Sequence, residues 1–168
     1  SGLTYGKGGG ADESSQTLTV KITAIPSFVT LWNGTTQVNV NDTLSVAALQ
    51  GLTYKTVADA NGTGTITWTV TDNGTTNGSS DPKSVSDSLS ITVTEVNDAP
   101  TRTSAAPSAV SAAEDSANTT AASLGLSGLT YGKGGGADES SQTLTVKITA
   151  IPSFVTLWNG TTQVNVND

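Results

Sequence analysis

Residues 127–168 repeat residues 1–42 without a single change, at an offset of 126 positions. Whatever conformation the first copy adopts, the second carries the same local instructions. Residues 43–98 follow the first copy, and no equivalent run follows the second within these 168 residues. A repeat of that length is a whole domain, because solenoid turns have periods of roughly 20–50 residues. The chain therefore reads as one period of a domain repeat plus a third of the next. Near-identical domains in series point to length, spacing or multivalency before they point to chemistry.

Within the period the hydrophobic pattern alternates with period two. Leu18, Val20, Ile22 and Ala24 interleave with Thr19, Lys21 and Thr23 in Gln16–Ala24, which is a strand with one wet face. Lys21 falls on the Thr face, so the spacing predicts that it is exposed. Phe28–Trp32, Asn33-Gly34 and Thr35–Val40 read as a hairpin with a type I′ turn on Asn33-Gly34. Ser45–Gln50 fits one helical turn leading to a strand at Leu52–Thr56. Gly64–Thr71 alternates through Ile66, Trp68 and Val70, and Ser86–Glu95 through Leu89, Ile91 and Val93. Strands at this spacing, separated by Gly, Asn and Asp turns, predict an all-β, antiparallel β-sandwich.

Thr101–Leu126 is richer in Ala, Ser and Thr and follows Val96-Asn97-Asp98-Ala99-Pro100, which reads as a hinge between repeats. On that reading residues 1–98 are a sandwich lacking its opening strands. Residues 99–168 are the opening part of the next identical repeat. A complete unit runs from about Ala99 to the Asp98 equivalent of the following copy. A sandwich without its first strand leaves an open edge, to be filled by its own chain or by a neighbour.

Composition removes several classes of function. The chain has no Cys, no Met and no His, so disulfides, thiolate or imidazole metal ligands and histidine bases are excluded. Seven Lys and Arg against 14 Asp and Glu give a net charge of −7, which disfavours nucleic acid as a partner. No apolar run approaches the ~20 residues of a membrane-spanning helix.

The series Asp59-Ala60-Asn61-Gly62, Thr67-Trp68-Thr69, Val96-Asn97-Asp98-Ala99-Pro100 and Ala113-Glu114-Asp115-Ser116 resembles the tandem cadherin-like and immunoglobulin-like repeats of giant bacterial surface proteins and adhesins. The resemblance covers essentially the whole period. It implies a Greek-key sandwich in a secreted stalk, with calcium near the junctions between repeats. Glu95, Asn97, Asp98, Glu114, Asp115, Asp59 and Asn61 are the candidate ligands. They supply the hard oxygens that Ca²⁺ prefers. The competing reading is that Asp, Asn and Gly here simply form turns. Asp12-Glu13, copied as Asp138-Glu139, is loosely similar to the acidic motif found midway through such domains.

Other features carry less. Gly6-Lys7-Gly8-Gly9-Gly10 lacks the Gly-Lys-Ser/Thr ending and following helix of a phosphate loop, and reads as a surface loop. Glu114 and Asp115 are adjacent, and neighbours on a strand point to opposite faces. Serines have no histidine to activate them, so no enzyme activity is expected. An isopeptide cross-link through Lys21 or Lys55 would need the lysine in the core. Trp68 is expected in the core, and Trp32 at a rim or a sugar-binding face. Asn33, Asn41, Asn61, Asn73, Asn77, Asn118 and Asn159 each begin an Asn-X-Ser/Thr sequence.

The expected function is structural: a stalk or fibre segment of a very long extracellular protein at a bacterial surface. Its expected partners are neighbouring copies of the same repeat. Two alternatives stand beside it. One is a filament or sheath subunit completed by strands from a neighbouring chain. The other is an adhesive module that binds glycan or a host protein.

Overall fold

The computed structural model describes residues 2–116 and 120–168, so the Asn118 sequence lies outside the described residues. The chain divides into two compact units. The first comprises Ser1–Val96 with Gly136–Asp138, and the second comprises Asn97–Gly135 with Glu139–Asp168. Both are built from antiparallel strands and turns.

The first unit contains β1 (Leu18–Ala24), β2 (Val29–Asn33), β3 (Thr36–Val38), β4 (Thr43–Leu44), helix α1 (Val46–Gln50), β5 (Thr53–Thr56), β6 (Gly62–Asp72), β7 (Thr75–Thr76), β8 (Ser79–Ser80) and β9 (Ser84–Val93). One sheet has the order β4-β1-β6-β9 and another the order β3-β2-β5. A single buried cluster draws Val20, Ile22, Ile66, Trp68 and Val70 from the first sheet and Leu31 and Val38 from the second. These are the alternating residues of their strands. Burying each contributes roughly 1.5–3 kcal/mol, which fixes the register of both sheets. Lys21 is exposed, as its phase requires. The helical turn is capped by Ser45, whose Oγ accepts from the Ala48 N–H at 3.1 Å.

Two local expectations change. The β2–β3 turn pairs Asn33 with Thr36, so its central residues are Gly34 and Thr35. Gly34 has φ +60° while Thr35 stays out of the left-handed region, which is the type II′ pattern rather than I′. The I′ signature appears instead at Asn77-Gly78, with φ +52° and +79°, closing the β7–β8 hairpin. Asn-Gly stands at 33–34, 61–62, 73–74 and 77–78 in the first unit, and the strand register decided that only the pair at 77–78 became the centre of a two-residue hairpin turn.

The second difference concerns β9. Leu89 lies opposite Ile66, and Val85 opposite Val70, so both share the core-facing side of the sheet. Yet Val85 is 51% and Leu89 57% exposed. The edge of the core-facing surface is uncovered at this strand.

The second unit has β10 (Thr101–Arg102) paired with β11 (Tyr131–Gly132), and β12 (Leu157–Asn159) paired with β13 (Thr162–Val164). Of Thr101–Leu126, which falls in the opening part of the next repeat, only Thr101–Arg102 is strand among the described residues.

The two copies form an internal control. Several contacts made within the 42 residues recur. The β12–β13 hairpin matches β2–β3. The Asn167 N–H donates to the Ile148 carbonyl at 2.8 Å, as the Asn41 N–H does to Ile22. Contacts that need residues 43–98 do not recur. Leu144–Ala150 has the sequence of β1 and is not a strand. Val20 is fully buried while Val146 is 77% exposed, and Phe28 is 8% exposed against 87% for Phe154. Phe28 packs on Gly62 and Gly64 of β6, where an added Cβ would come within 3.1 and 3.3 Å of its ring. Identical sequence thus takes two fates, and the partner strand decides between them.

Candidate cation site

The seven candidate ligands fall into separate local settings. In the first unit Asp59 sits in the turn before β6 with φ +56°, a conformation that Asp tolerates better than most residues. Asn61 is half-buried, and its Nδ2 donates to Asp138 Oδ1 at 2.9 Å. An added Cβ at Gly136 would lie 2.8 Å from the Asp59 carbonyl oxygen, so that backbone approach requires glycine. Glu95 is exposed beyond the end of β9.

In the second unit the hinge residues are gripped by the repeated segment. The Asp98 N–H donates to Glu139 Oε1 at 2.8 Å, and Gln142 Nε2 donates to Asn97 Oδ1 at 2.7 Å. Gly134 packs against Asp98, and a Cβ there would stand 2.8 Å from the Asp98 Cβ. Glu139 is only 2% exposed, and its other oxygen, Oε2, is buried without a hydrogen-bond partner. A buried carboxylate oxygen with no donor is costly, because ionised groups leaving water need compensation. Glu114 and Asp115 are exposed in a turn closed by Ser116, whose N–H and Oγ donate to the Ala113 carbonyl at 3.2 and 2.7 Å. Among the described residues no group of three or more Asp, Glu, His or Cys side chains is placed to hold a metal.

Glu139 was legible only as half of an acidic pair. Its twin Glu13 is half-buried and caps its own 3-10 turn Ala11–Glu13, with the Gly10 N–H at 3.5 Å from Oε2. The local sequence is the same in both places. The difference is the long-range contact from Asp98, 41 residues upstream of Glu139.

The tryptophans separate similarly. Trp68 is buried, and its Nε1 donates to the Tyr5 hydroxyl at 2.6 Å, which in turn donates to Asp87 Oδ2 at 2.8 Å. Burial above all pushes the Tyr5 phenol above its ordinary value, and the Asp87 carboxylate adds to that shift. Trp32 donates from Nε1 to Thr30 at 2.9 Å, and the Lys55 ammonium covers its ring at 3.9 Å from the centroid. One face of the Trp32 ring is therefore engaged by a cation.

A cleft of about 320 Å³ in the second unit is lined by Ala105, Pro107, Val110, Leu124, Leu126 and Leu129 among others, with no titratable side chain. No helix among the described residues is long and apolar enough to cross a membrane. No family model, curated protein or solved structure matches the chain.

Proposed function

We propose that this chain is a segment of a long extracellular structural protein, built from tandem β-sandwich domains with a 126-residue period. The observation that carries the reading is the pair of identical 42-residue copies. The first is buried against residues 43–98, and the second holds the same apolar residues ready, with the hinge Asn97–Asp98 fastened to it. In such a stalk each sandwich resists extension through strand hydrogen bonds loaded together, and the short hinge limits the angle between neighbours. The domain is an immunoglobulin- or cadherin-like Greek-key sandwich. Its place is a bacterial cell surface.

Calcium is the second part of the proposal. Glu139 Oε2 supplies a buried anionic oxygen without a donor, and Asn97 and Asp98 stand on the segment bonded to the same side chain. Carbonyl oxygens and water would complete the six to eight ligands that Ca²⁺ takes. The ion would neutralise the carboxylates at the hinge and stiffen it.

Two measurements test these parts separately. Proteins carrying two, four and six full periods should lengthen by a constant increment per period in electron micrographs. A compact globule of growing diameter would refute the stalk. Chelator should lower the melting temperature of these proteins by about 5 °C or more, and Glu139→Gln should abolish that difference. Identical melting with and without chelator would remove calcium and leave the stalk intact.

A further inference from the structure

Asn-Gly occurs five times in the sequence, at 33–34, 61–62, 73–74, 77–78 and 159–160. The pair has a reactivity of its own. The glycine amide nitrogen can attack the Cγ of the asparagine side chain, and glycine has no Cβ to obstruct the ring closure. We propose that Asn33, Asn77 and Asn159 are sites of spontaneous deamidation in the folded chain, with water as the co-reactant. Asn61 and Asn73 carry the same dipeptide and are protected by their contacts. The inference stands apart from both the stalk and calcium.

The protected pairs are held at both reacting groups or packed in a strand. The Gly74 N–H, which would have to act as nucleophile, donates to Asp72 Oδ1 at 2.9 Å, and Gly74 is buried. Asn73 Oδ1 accepts from the Thr17 N–H at 2.7 Å, which fixes that side chain. Asn61 Nδ2 donates to Asp138 Oδ1 at 2.9 Å, and Gly62 is half-buried in β6 opposite Val93. A Cβ at Gly62 would stand 3.1 Å from the Phe28 ring, so its backbone has little room to turn. The other three pairs lie exposed at hairpin tips, with Gly34, Gly160 and Gly78 at φ +60°, +63° and +79°. There, among the described residues, neither the asparagine side chains nor the glycine N–H groups have a hydrogen-bond partner.

The reaction balances with water alone. The glycine nitrogen gives its proton to solvent base and bonds to Cγ, the Cγ–Nδ2 bond breaks, and Nδ2 leaves as ammonia. Water then opens the resulting succinimide ring. Attack at Cγ yields aspartate, and attack at the main-chain carbonyl yields isoaspartate, whose backbone runs through Cβ and Cγ and is longer by a methylene. Either product is a carboxylate, so each conversion adds a negative charge to a chain already at −7. The sites differ in what isoaspartate disturbs. At Asn33 it enters the hairpin in which Leu31 and Val38 face each other in the core, so the register of buried residues is at stake. At Asn77 it enters a hairpin whose strand residues are all exposed.

The test incubates the full folded chain in H₂¹⁸O at mildly alkaline pH, then returns it to ordinary water for tryptic digestion and mass spectrometry. Cleavage after Lys21, Lys55, Lys83 and Lys147 separates Asn33 and Asn159 from each other and from the peptide that holds Asn61, Asn73 and Asn77. Fragmentation of that peptide resolves its three sites. Heavy oxygen should enter at Asn33, Asn77 and Asn159 at least about tenfold faster than at Asn61 and Asn73, where existing hydrogen bonds must first be broken. In concentrated urea the five rates should converge, because the dipeptide is the same at each. Equal rates at all five sites of the folded chain would overturn the proposal. So would an absence of label at Asn33 and Asn77, or a ranking of sites that survives unchanged in urea.

Discussion

Val20 and Val146 are the same residue in the same sequence, and the structure assigns them opposite energetic weight. Val20→Asp places an unpaired carboxylate in the core and should destabilise the first unit by roughly 3–5 kcal/mol. Val146→Asp should change stability by less than about 0.5 kcal/mol in the dilute monomer. Urea titration of the two variants checks the contrast, and equal losses would contradict it. Tyr5 offers a second test. Its raised pKa means that the neutral phenol is favoured by folding. The stabilisation is therefore complete below the ordinary value near 10 and is lost as pH rises through the raised one. Above pH 10 the melting temperature of the native chain should fall more steeply than that of Tyr5→Phe. Asp87→Asn should bring the Tyr5 titration, followed by ¹³C NMR of labelled tyrosine, down toward the ordinary value.

At the scale of elements, the long alternating strands were readable from sequence because the core-facing residues recur at every second position. Ile66, Trp68 and Val70 are buried as their phase required. Ser45 also capped a helical turn where the sequence placed one. What escaped was decided outside the local window. The Asn33-Gly34 turn shifted by one residue because the hairpin register, not the dipeptide, set its centre. Leu89 shows the right phase and still faces water, since alternation reports which side a residue points to and not whether anything covers that side. The candidate ligands Asn97 and Asp98 were visible as a hinge, whereas Glu139 gained its role only by long-range contact. Leu144–Ala150 is the clearest case, since no reading of those seven residues alone separates them from β1. Amide hydrogen exchange should find Leu18–Ala24 protected by several orders of magnitude over Leu144–Ala150 at low protein concentration. Comparable protection in the two segments would contradict the partner-dependent account.

At the scale of the whole molecule, the two copies of residues 1–42 within these 168 residues present the same recognition surface to the 43–98 body, with no difference in chemistry between them. A binding site discriminates by a difference in free energy, and between identical side chains that difference vanishes. Connectivity and timing must then do the choosing. During synthesis residues 43–98 leave the ribosome directly after the first copy. Residue 127 follows residue 98 by roughly 1.5–6 s at about 5–20 residues per second. Hairpins and small sheets close within that interval, so the first copy docks without competition. Dilution from denaturant removes this head start and presents both copies at once. The history of a preparation is therefore a variable in its own right.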